Sequence, residues 1–502
     1  MNLRAIIFAI VFSTVIFHAV PASAATCESL MALTLPNTTI TMAKVVPSGS
    51  FTPPGAKDAI NNLPSFCRVA ATLKPTSDSD IKMELWLPAS GWNGKYQAVG
   101  NGGLAGSILY DPLSDGLKRG YATSSTDTGH VGDTAKGFLG HPEVQNDFGY
   151  RAIHEVTLKS KAITNAFYGS DPRLSYFVGC SGGGRQALVE AQKYPDDFHG
   201  IIAGAPSLNQ KPIVFAARMG ISHAALKNPA SFVPRTKYPM IHEAVVNACD
   251  AIDGVKDGLI EDPRRCSFDP KVLECKAGDS ASCLTAAQIE TARKIWAPVR
   301  EPRTGREIVP QMEFGAELGW GTLAGQEPLD NLTERLKYVV FKDPNYDWKT
   351  FNFPADLSKL DGVDDPADAS NPDMSAFAGR GGKLIVYHGW ADQQVLPRNT
   401  VYYYDNVLEK MGGAARTAGW LRLFMVPMMG HCRGGDGPNQ FDMLTKLEEW
   451  VEKGTAPTQV IASRVEEGKV VRTRPLCPYP QVAQYDGSGS IDEGSNFACR
   501  MP

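Results

Sequence analysis

A serine set between glycines constrains this chain more than any other feature. The segment GCSGG at 179–183 fits the pattern G-x-S-x-G, between a strand-like run at 174–179 and a helix-like run at 182–194. A serine on a sharp strand-to-helix turn presents its hydroxyl beyond the sheet, and flanking glycines relieve crowding at strained backbone angles. Glycine-rich turns are common, but this context predicts that Ser181 is a nucleophile.

The rest of the chain alternates between strand-like and helix-like segments. Besides 174–179, strand-like runs occur at 95–100, 121–123, 201–206, 383–387 and 421–427, and a helix is predicted at 441–453. This alternation, with Gly, Pro and Asp between the segments, predicts an α/β fold. From 208 to 377 the pattern changes to mixed helices rich in Asp and Pro. We therefore expect an α/β domain formed by 25–207 and 378–502, interrupted by an inserted domain at 208–377.

A serine nucleophile needs a base, and the base needs an acid to orient it. In an α/β-hydrolase these follow the serine in the order acid, then histidine, each on a loop after a strand. Asp392 follows the run KLIVY and His431 follows the run LRLFMVP, so both match that order. Asp436 and Asp442 are rival acids, but both come after the histidine. Other histidines of the predicted domain are interpreted as hydrogen-bonded structural residues, namely His130, His141, His154, His199 and His388.

The same fold predicts where an oxyanion would bind. One donor is the backbone N–H that follows the nucleophile, here that of Gly182, and the other comes from an earlier glycine-rich loop. The turn at 101–103 is the candidate for that loop, and either Gly102 or Gly103 can supply the second donor.

Two cysteines adjoin the predicted nucleophile and base. If Ser181 and His431 lie within hydrogen-bond reach, Cys180 and Cys432 are close enough to form a disulfide in an oxidising compartment. The alternative is a thiol nucleophile at Cys180. The even number of cysteines, ten, and the export signal described next both argue against it.

The N-terminus predicts export. Arg4 precedes an apolar run at 5–17, and Ala22-Ser23-Ala24 is a cleavage site of the A-x-A type, so residues 1–24 are interpreted as a signal peptide. The alternative, a membrane anchor, needs an apolar run of about 20 residues. We expect a secreted or periplasmic protein that has no membrane association after cleavage. With 50 basic and 54 acidic residues, a net charge of −4 and no basic blocks, a nucleic-acid partner is not expected.

An acidic loop in the predicted insertion indicates a metal site. Asp250, Asp253 and Asp257 fall within eight residues and alternate with glycines. Ca²⁺ takes 6–8 oxygen ligands from carboxylates and carbonyls, although this spacing does not match an EF-hand. A metal-free turn is the alternative. Cys249 and Cys266 bracket the loop and can close it, and oxidised cysteines cannot serve as thiolate ligands for zinc.

Long motifs of the chain resemble the tannase and feruloyl esterase family of secreted α/β-hydrolases, which includes a bacterial mono(2-hydroxyethyl) terephthalate hydrolase. The matching motifs are GNGGLAG (100–106), GYATSSTDTGH (120–130), DFGYRAIHE (147–155), GCSGGGRQAL (179–188), CDAIDGVKDGLIEDPRRC (249–266), NPDMSAFAGRGGKLI (371–385), HGWADQQV (388–395) and GHC (430–432).

The resemblance implies an α/β-hydrolase fold with a large inserted lid domain that binds calcium. It implies a triad of Ser181, Asp392 and His431. It implies a calcium site formed by the side chains of Asp250, Asp253 and Asp257 and the carbonyls of Val255 and Leu259. The disulfides that it implies are Cys180–Cys432, Cys27–Cys67, Cys249–Cys266, Cys275–Cys283 and Cys477–Cys499.

From the motifs and the resemblance together we expect a calcium-stabilised, exported serine carboxylesterase. Its partner is a small-molecule aromatic ester, with feruloyl esterase activity ahead of tannase activity. Hydrolysis of a terephthalate monoester is an alternative activity, since the matching motifs are shared by all three. An alternative of another class is a secreted binding protein that keeps the fold without catalysis.

Overall fold

The computed structural model describes residues 25–226 and 228–502. The predicted signal peptide, residues 1–24, lies outside the described residues. Within the described part of the chain, no helix is both long and apolar enough to cross a membrane.

The strands, in chain order, are β1 (Thr38–Val46), β2 (Gly49–Phe51), β3 (Ile60–Leu63), β4 (Phe66–Leu73), β5 (Ile81–Pro88), β6 (Lys95–Val99), β7 (Ala122–Thr126), β8 (Leu174–Cys180), β9 (Gly200–Gly204), β10 (Val299–Arg300), β11 (Glu307–Val309), β12 (Lys383–Gly389), β13 (Leu421–Val426), β14 (Val460–Glu466), β15 (Lys469–Leu476), β16 (Val482–Tyr485) and β17 (Phe497–Arg500).

The α-helices are α1 (Tyr110–Lys118), α2 (Pro142–Asn146), α3 (Ala152–Tyr168), α4 (Gly182–Lys193), α5 (Pro212–Leu226), α6 (Tyr238–Cys249), α7 (Ala286–Ile295), α8 (Gly321–Ala324), α9 (Asp330–Arg335), α10 (Phe353–Leu360), α11 (Ser375–Gly379), α12 (Arg398–Lys410), α13 (Ala414–Thr417) and α14 (Met443–Lys453).

A nine-stranded mixed sheet forms the centre of the molecule, in the order β1-β4-β5-β7-β6-β8-β9-β12-β13. From β7 to β13 the neighbouring strands are parallel, whereas β1, β4, β5 and β7 pair antiparallel. The predicted strands all belong to the parallel half, where runs buried on both faces stand out in the sequence. The α/β fold is confirmed, and the antiparallel half was not predicted.

Helices cover both faces of the parallel half. Adjacent residues of one strand point to opposite faces, so Phe177 packs in a core with residues of α3, α4 and α12, while Tyr176 packs in a core with residues of α14. Helix α14 begins two residues later than predicted, because the side chain of Asp442 accepts a hydrogen bond from the N–H of Thr445 and caps it. It ends, as predicted, at Gly454 in a left-handed conformation.

The segment between β9 and β12 carries a hydrophobic cluster that extends from Ile213 to Leu360 and includes residues of α5, α7 and α9. Leu208 and Phe377, the residues at the two ends of the predicted insertion, instead pack in the core of the central sheet. The hydrophobic cluster of this segment therefore spans fewer residues than the predicted insertion at 208–377. This cluster also includes Leu396, which lies outside the insertion and follows β12.

Candidate active site

Ser181 lies on a strained turn between β8 and α4. Its backbone has φ 64° and ψ −120°, a left-handed region that side chains rarely adopt, and its N–H donates to the carbonyl of Gly204 at 2.9 Å. A Cβ atom at residue 183 would lie 2.8 Å from the carbonyl oxygen of Asn101, so only glycine fits there. This tight packing explains why the sequence surrounds the serine with glycines.

The structure brings the three residues of the predicted triad together. Nε2 of His431 lies 2.8 Å from Oγ of Ser181, and Nδ1 of His431 lies 2.7 Å from Oδ2 of Asp392. Asp392 lies on the loop after β12 and His431 on the loop after β13, the order that the sequence predicts. This chain of hydrogen bonds can move a proton from the serine hydroxyl to the histidine ring.

The carboxylate of Asp392 is fully buried and fully hydrogen-bonded. Its Oδ1 accepts from the N–H groups of Gln394 and Val395, each at 2.8 Å. Burial alone would raise the pKa of Asp392, but hydrogen bonds from His388 and His431 lower it below the usual range of a carboxyl group. Asp392 is therefore an ionised acceptor at neutral pH.

His388 is a part of the site that the sequence analysis left among the structural histidines. The residue is buried at the end of β12, and its Nε2 lies 3.0 Å from Oδ2 of Asp392 and 2.9 Å from the carbonyl oxygen of Val395. Its Nδ1 lies 2.8 Å from Oγ1 of Thr400. The spacing HGWAD, which puts this histidine four residues before the acid, is the signal that could have identified it.

The glycine-rich loop at 101–103 packs against the start of α4. A Cβ atom at residue 182 would lie 3.1 Å from the carbonyl oxygen of Gly103, and the side chain of Gln186 accepts from the N–H of Asn101 at 2.9 Å. The side-chain amide of Asn101 donates through Nδ2 to the backbone carbonyl of Thr126 at 2.7 Å. Gly182 begins α4, so its N–H has no partner within the helix and is free to donate. The predicted oxyanion loop is thus held beside the nucleophile.

The disulfide pairing is confirmed for all ten cysteines. The bonds are Cys27–Cys67, Cys180–Cys432, Cys249–Cys266, Cys275–Cys283 and Cys477–Cys499. The Cys180–Cys432 bond joins the residue before the nucleophile to the residue after His431, with the two Cα atoms 6.1 Å apart. It ties the nucleophile turn covalently to the histidine loop.

A cavity of about 930 Å³ opens at the triad. Ser181, His431 and the loop at 101–103 line it on the side of the central sheet, and the segment 329–331, which lies between β9 and β12, also lines it. A cavity of this size accommodates an organic molecule of drug-like dimensions.

The acidic loop after α6 is folded around its own carboxylates. The carboxylate of Asp250 accepts from the N–H groups of Asp257 and Gly258, each at 3.0 Å, and Asp257 also pairs with Arg474. Burial and repulsion from Asp257 and Asp250 raise the pKa of Asp253 to about 6. In the described part of the chain, Arg474 is the cation that forms a salt bridge with these three carboxylates, and the negative charge that remains fits a hard divalent cation.

Another group of three potential metal ligands is more compact than the carboxylates of the 250–257 loop. Among the described residues, His154, Glu190 and Asp197 form the group whose ligand atoms all lie within 4.8 Å of one another. Nδ1 of His154 lies 2.6 Å from Oδ2 of Asp197, and Lys161 donates to the backbone carbonyl of Asp197. The carboxylates of the 250–257 loop are more widely spaced than this trio.

The parallel sheet, the serine on the turn after a central strand and the order of the acid and the histidine define an α/β-hydrolase. A family model described as "Tannase and feruloyl esterase" matches residues 67–500. The chain belongs to the tannase and feruloyl esterase family, and it is a carboxylic ester hydrolase.

Relatives resemble the chain over nearly its whole length. An uncharacterised esterase of Xanthomonas campestris is 38% identical, over 95% of this chain and 91% of the relative. A probable feruloyl esterase B of Aspergillus clavatus is 33% identical, over 93% of each chain. The crystal structure of feruloyl esterase B from Aspergillus oryzae superposes with a TM-score of 0.88 at 31% identity, covering 94% of this chain and 99% of that one.

Proposed function

We propose that this protein is an exported serine esterase that hydrolyses esters of phenolic acids, with feruloyl esters preferred over galloyl esters. The observation that carries the proposal is the distance of 2.8 Å between Nε2 of His431 and Oγ of Ser181. The feruloyl preference is supported by the relatives that are named feruloyl esterase B.

In the acylation step, Oγ of Ser181 attacks the ester carbonyl carbon while its proton passes to Nε2 of His431. Asp392 accepts the hydrogen bond of Nδ1 and stabilises the imidazolium. Backbone N–H groups of Gly182 and of either Gly102 or Gly103 stabilise the tetrahedral oxyanion. The intermediate collapses when the carbon–oxygen bond to the alcohol breaks and His431 gives its proton to the leaving alkoxide.

In the deacylation step, a water molecule takes the place of the alcohol. His431 removes a proton from this water, and the resulting nucleophile attacks the carbonyl carbon of the acyl-serine. Collapse of the second intermediate releases the carboxylic acid, and the proton on His431 returns to Oγ of Ser181.

We propose that residues 208–377 form a lid whose segment at 329–331 shapes the substrate cavity.

The loop with Asp250, Asp253 and Asp257, together with the carbonyls of Val255 and Leu259, would hold a structural Ca²⁺ whose charge offsets that of the carboxylates. Five disulfides and the signal at residues 1–24 support export to an oxidising compartment, secreted or periplasmic.

The test of the nucleophile is Ser181→Ala. We expect a loss of kcat of roughly 10⁴-fold or more on a chromogenic aryl ester, with an unchanged melting temperature. Labelling of the wild-type protein by a fluorophosphonate at Ser181 separates an enzyme from a binding protein on the same fold. Full activity in the alanine variant would refute the mechanism.

The test of the substrate class is a comparison of kcat/KM for methyl ferulate, methyl gallate, chlorogenate and mono(2-hydroxyethyl) terephthalate. We expect the highest value for a hydroxycinnamoyl ester. A higher value for methyl gallate would indicate a tannase, and a higher value for the terephthalate monoester would indicate the remaining alternative.

A further inference from the structure

Three potential metal ligands from three parts of the fold converge at a distance from the triad. His154 lies on α3, Glu190 lies near the C-terminal end of α4, and Asp197 lies on the loop that leads to β9. One ligand atom of each lies within 4.8 Å of those of the other two. Since Ser181 precedes the first residue of α4, this His154–Glu190–Asp197 cluster is at the opposite end of that helix from the nucleophile.

Glu190 is buried without full hydrogen bonding. The residue is 1% exposed, and its Oε2 has no hydrogen-bond partner in the described chain. Its carboxyl group is close enough to that of Asp197 for a hydrogen bond, and burial together with this neighbour raises the pKa of Glu190 well above the usual range. Two buried carboxylates in contact cannot both be ionised unless a proton or a cation lies between them.

His154 offers a nitrogen ligand and a route from the solvent. Its Nδ1 lies 2.6 Å from Oδ2 of Asp197, and its ring stacks on the ring of Tyr194 with centroids 3.8 Å apart. The stack fixes the orientation of the imidazole, as the surroundings of a metal ligand do. The side chain of His154 is 24% exposed, so an ion can reach the cluster from this side.

Two basic side chains hold the loop of Asp197 through its backbone. Lys161 donates to the carbonyl of Asp197, and Arg380 donates to the carbonyls of Pro195 and Phe198. Burial lowers the pKa of Lys161, because a positive charge is disfavoured in this environment. Even with Lys161 charged, two ionised carboxylates would leave a net negative charge in the cluster, and a divalent cation can balance it.

We propose that His154, Glu190 and Asp197 bind a divalent transition-metal ion, with Zn²⁺ as the best match. Zinc takes imidazole nitrogen and carboxylate oxygen ligands at about 2.0–2.2 Å, and a water molecule can complete the tetrahedron. Ca²⁺ fits less well, since it takes 6–8 oxygen ligands. The ion would replace the proton between the carboxylates and would join α3, α4 and the loop before β9, so its binding stabilises the folded state.

Equilibrium dialysis of the chelator-treated protein against Zn²⁺ tests the site, with excess Ca²⁺ present to occupy the acidic loop at 250–257. We expect one bound Zn²⁺ per chain. Glu190→Gln and His154→Gln should each weaken binding by more than the factor of about 10–100 that the loss of an outer-shell partner costs. The matched control is His141→Gln. His141 also pairs with a carboxylate, that of Asp78, but its side chain is 54% exposed, so this variant should keep the wild-type affinity.

Each outcome decides the proposal. A wild-type protein that binds no Zn²⁺ at neutral pH overturns it and indicates that the two carboxylates share a proton. Zn²⁺ that remains bound at full affinity in both site variants lies elsewhere, which also overturns it. If Glu190→Gln does not fold, the partly exposed His154 decides, and full affinity in His154→Gln refutes the site. None of these measurements uses ester hydrolysis, so the proposed esterase function stands or falls separately.

Discussion

Nε2 of His388 lies 3.0 Å from Oδ2 of Asp392, the same oxygen that accepts the hydrogen bond of His431. Because Nε2 of His388 also lies 2.9 Å from the carbonyl oxygen of Val395, which can only accept, this nitrogen must carry a hydrogen atom. A buried donor therefore holds the same carboxylate oxygen that accepts from the base. His388 is a positioning residue for Asp392.

Replacing His388 tests that role. We expect His388→Leu to lower kcat/KM by about 10- to 100-fold, because the carboxylate loses a donor that fixes its position. The carboxylate also becomes a stronger base, so the acid limb of the pH–activity profile should move to higher pH. His388→Gln, which can still donate, should restore part of both effects. A wild-type profile in His388→Leu would show that the contact is only structural.

The bond between Cys180 and Cys432 is expected to support both stability and activity. Replacing both cysteines by alanine removes a cross-link between residues separated by 252 positions, which costs about 5 kcal/mol in the chain-entropy model. It also frees the nucleophile turn from the histidine loop, so we expect kcat/KM to fall about tenfold or more.

The matched control for that experiment is Cys27–Cys67, which lies at the far edge of the sheet and spans 40 residues. Its removal should lower the unfolding free energy by about 4 kcal/mol and leave kcat/KM intact. Equal losses of activity in the two double variants would contradict a specific role for the bond beside the triad.

A half-buried histidine on α6, His242, is expected to make stability depend on pH. Nδ1 of His242 lies 2.9 Å from Glu317 and its Nε2 lies 3.1 Å from Asp436 on the histidine loop. Burial opposes the charge, but hydrogen bonds with Asp436 and Glu317 raise the pKa of His242 to about 9. Since this exceeds the unfolded value of about 6.5, the stabilisation is complete below pH 6.5 and is lost as the pH rises through 9.

Thermal unfolding between pH 6 and pH 10 measures this effect. The melting temperature of the wild type should fall more steeply above pH 7 than that of His242→Gln, and the variant should be the less stable protein at pH 6. His141→Gln is the control, because its ion pair with Asp78 is exposed. Parallel curves for the wild type and His242→Gln would contradict the prediction.

Removal of calcium is expected to destabilise the protein. A chelator should lower the melting temperature, and Ca²⁺ should restore it, because a ligand bound only to the folded state at a hundredfold excess over Kd contributes about 2.7 kcal/mol. Asp253→Asn should weaken the response, whereas Asp269→Asn, an exposed acid of the same segment, should keep it. A melting temperature that ignores both chelator and Ca²⁺ would argue against the site.

Short sequence patterns were enough to predict those parts of the site that depend only on residues adjacent in the chain. The parallel strands are short apolar runs, and each functional loop follows such a run, so Ser181, Asp392 and His431 could be placed from the sequence. The antiparallel strands β1, β4 and β5 were not predicted. They precede the first segment that was assigned, and in that half of the sheet the fold is set by pairing between strands rather than by local runs.

The sequence by itself determined the strand-to-helix turn at Ser181 and the order of the acid and the base along the chain, because both depend on short-range backbone chemistry. The pairing of the ten cysteines came from family resemblance, since spacing alone allows many connectivities. Only the tertiary structure decided that Ser181, Asp392 and His431 form one chain of hydrogen bonds. The loops that carry these residues are far apart in the sequence and meet only after the parallel strands have aligned in register, and no local pattern encodes that alignment.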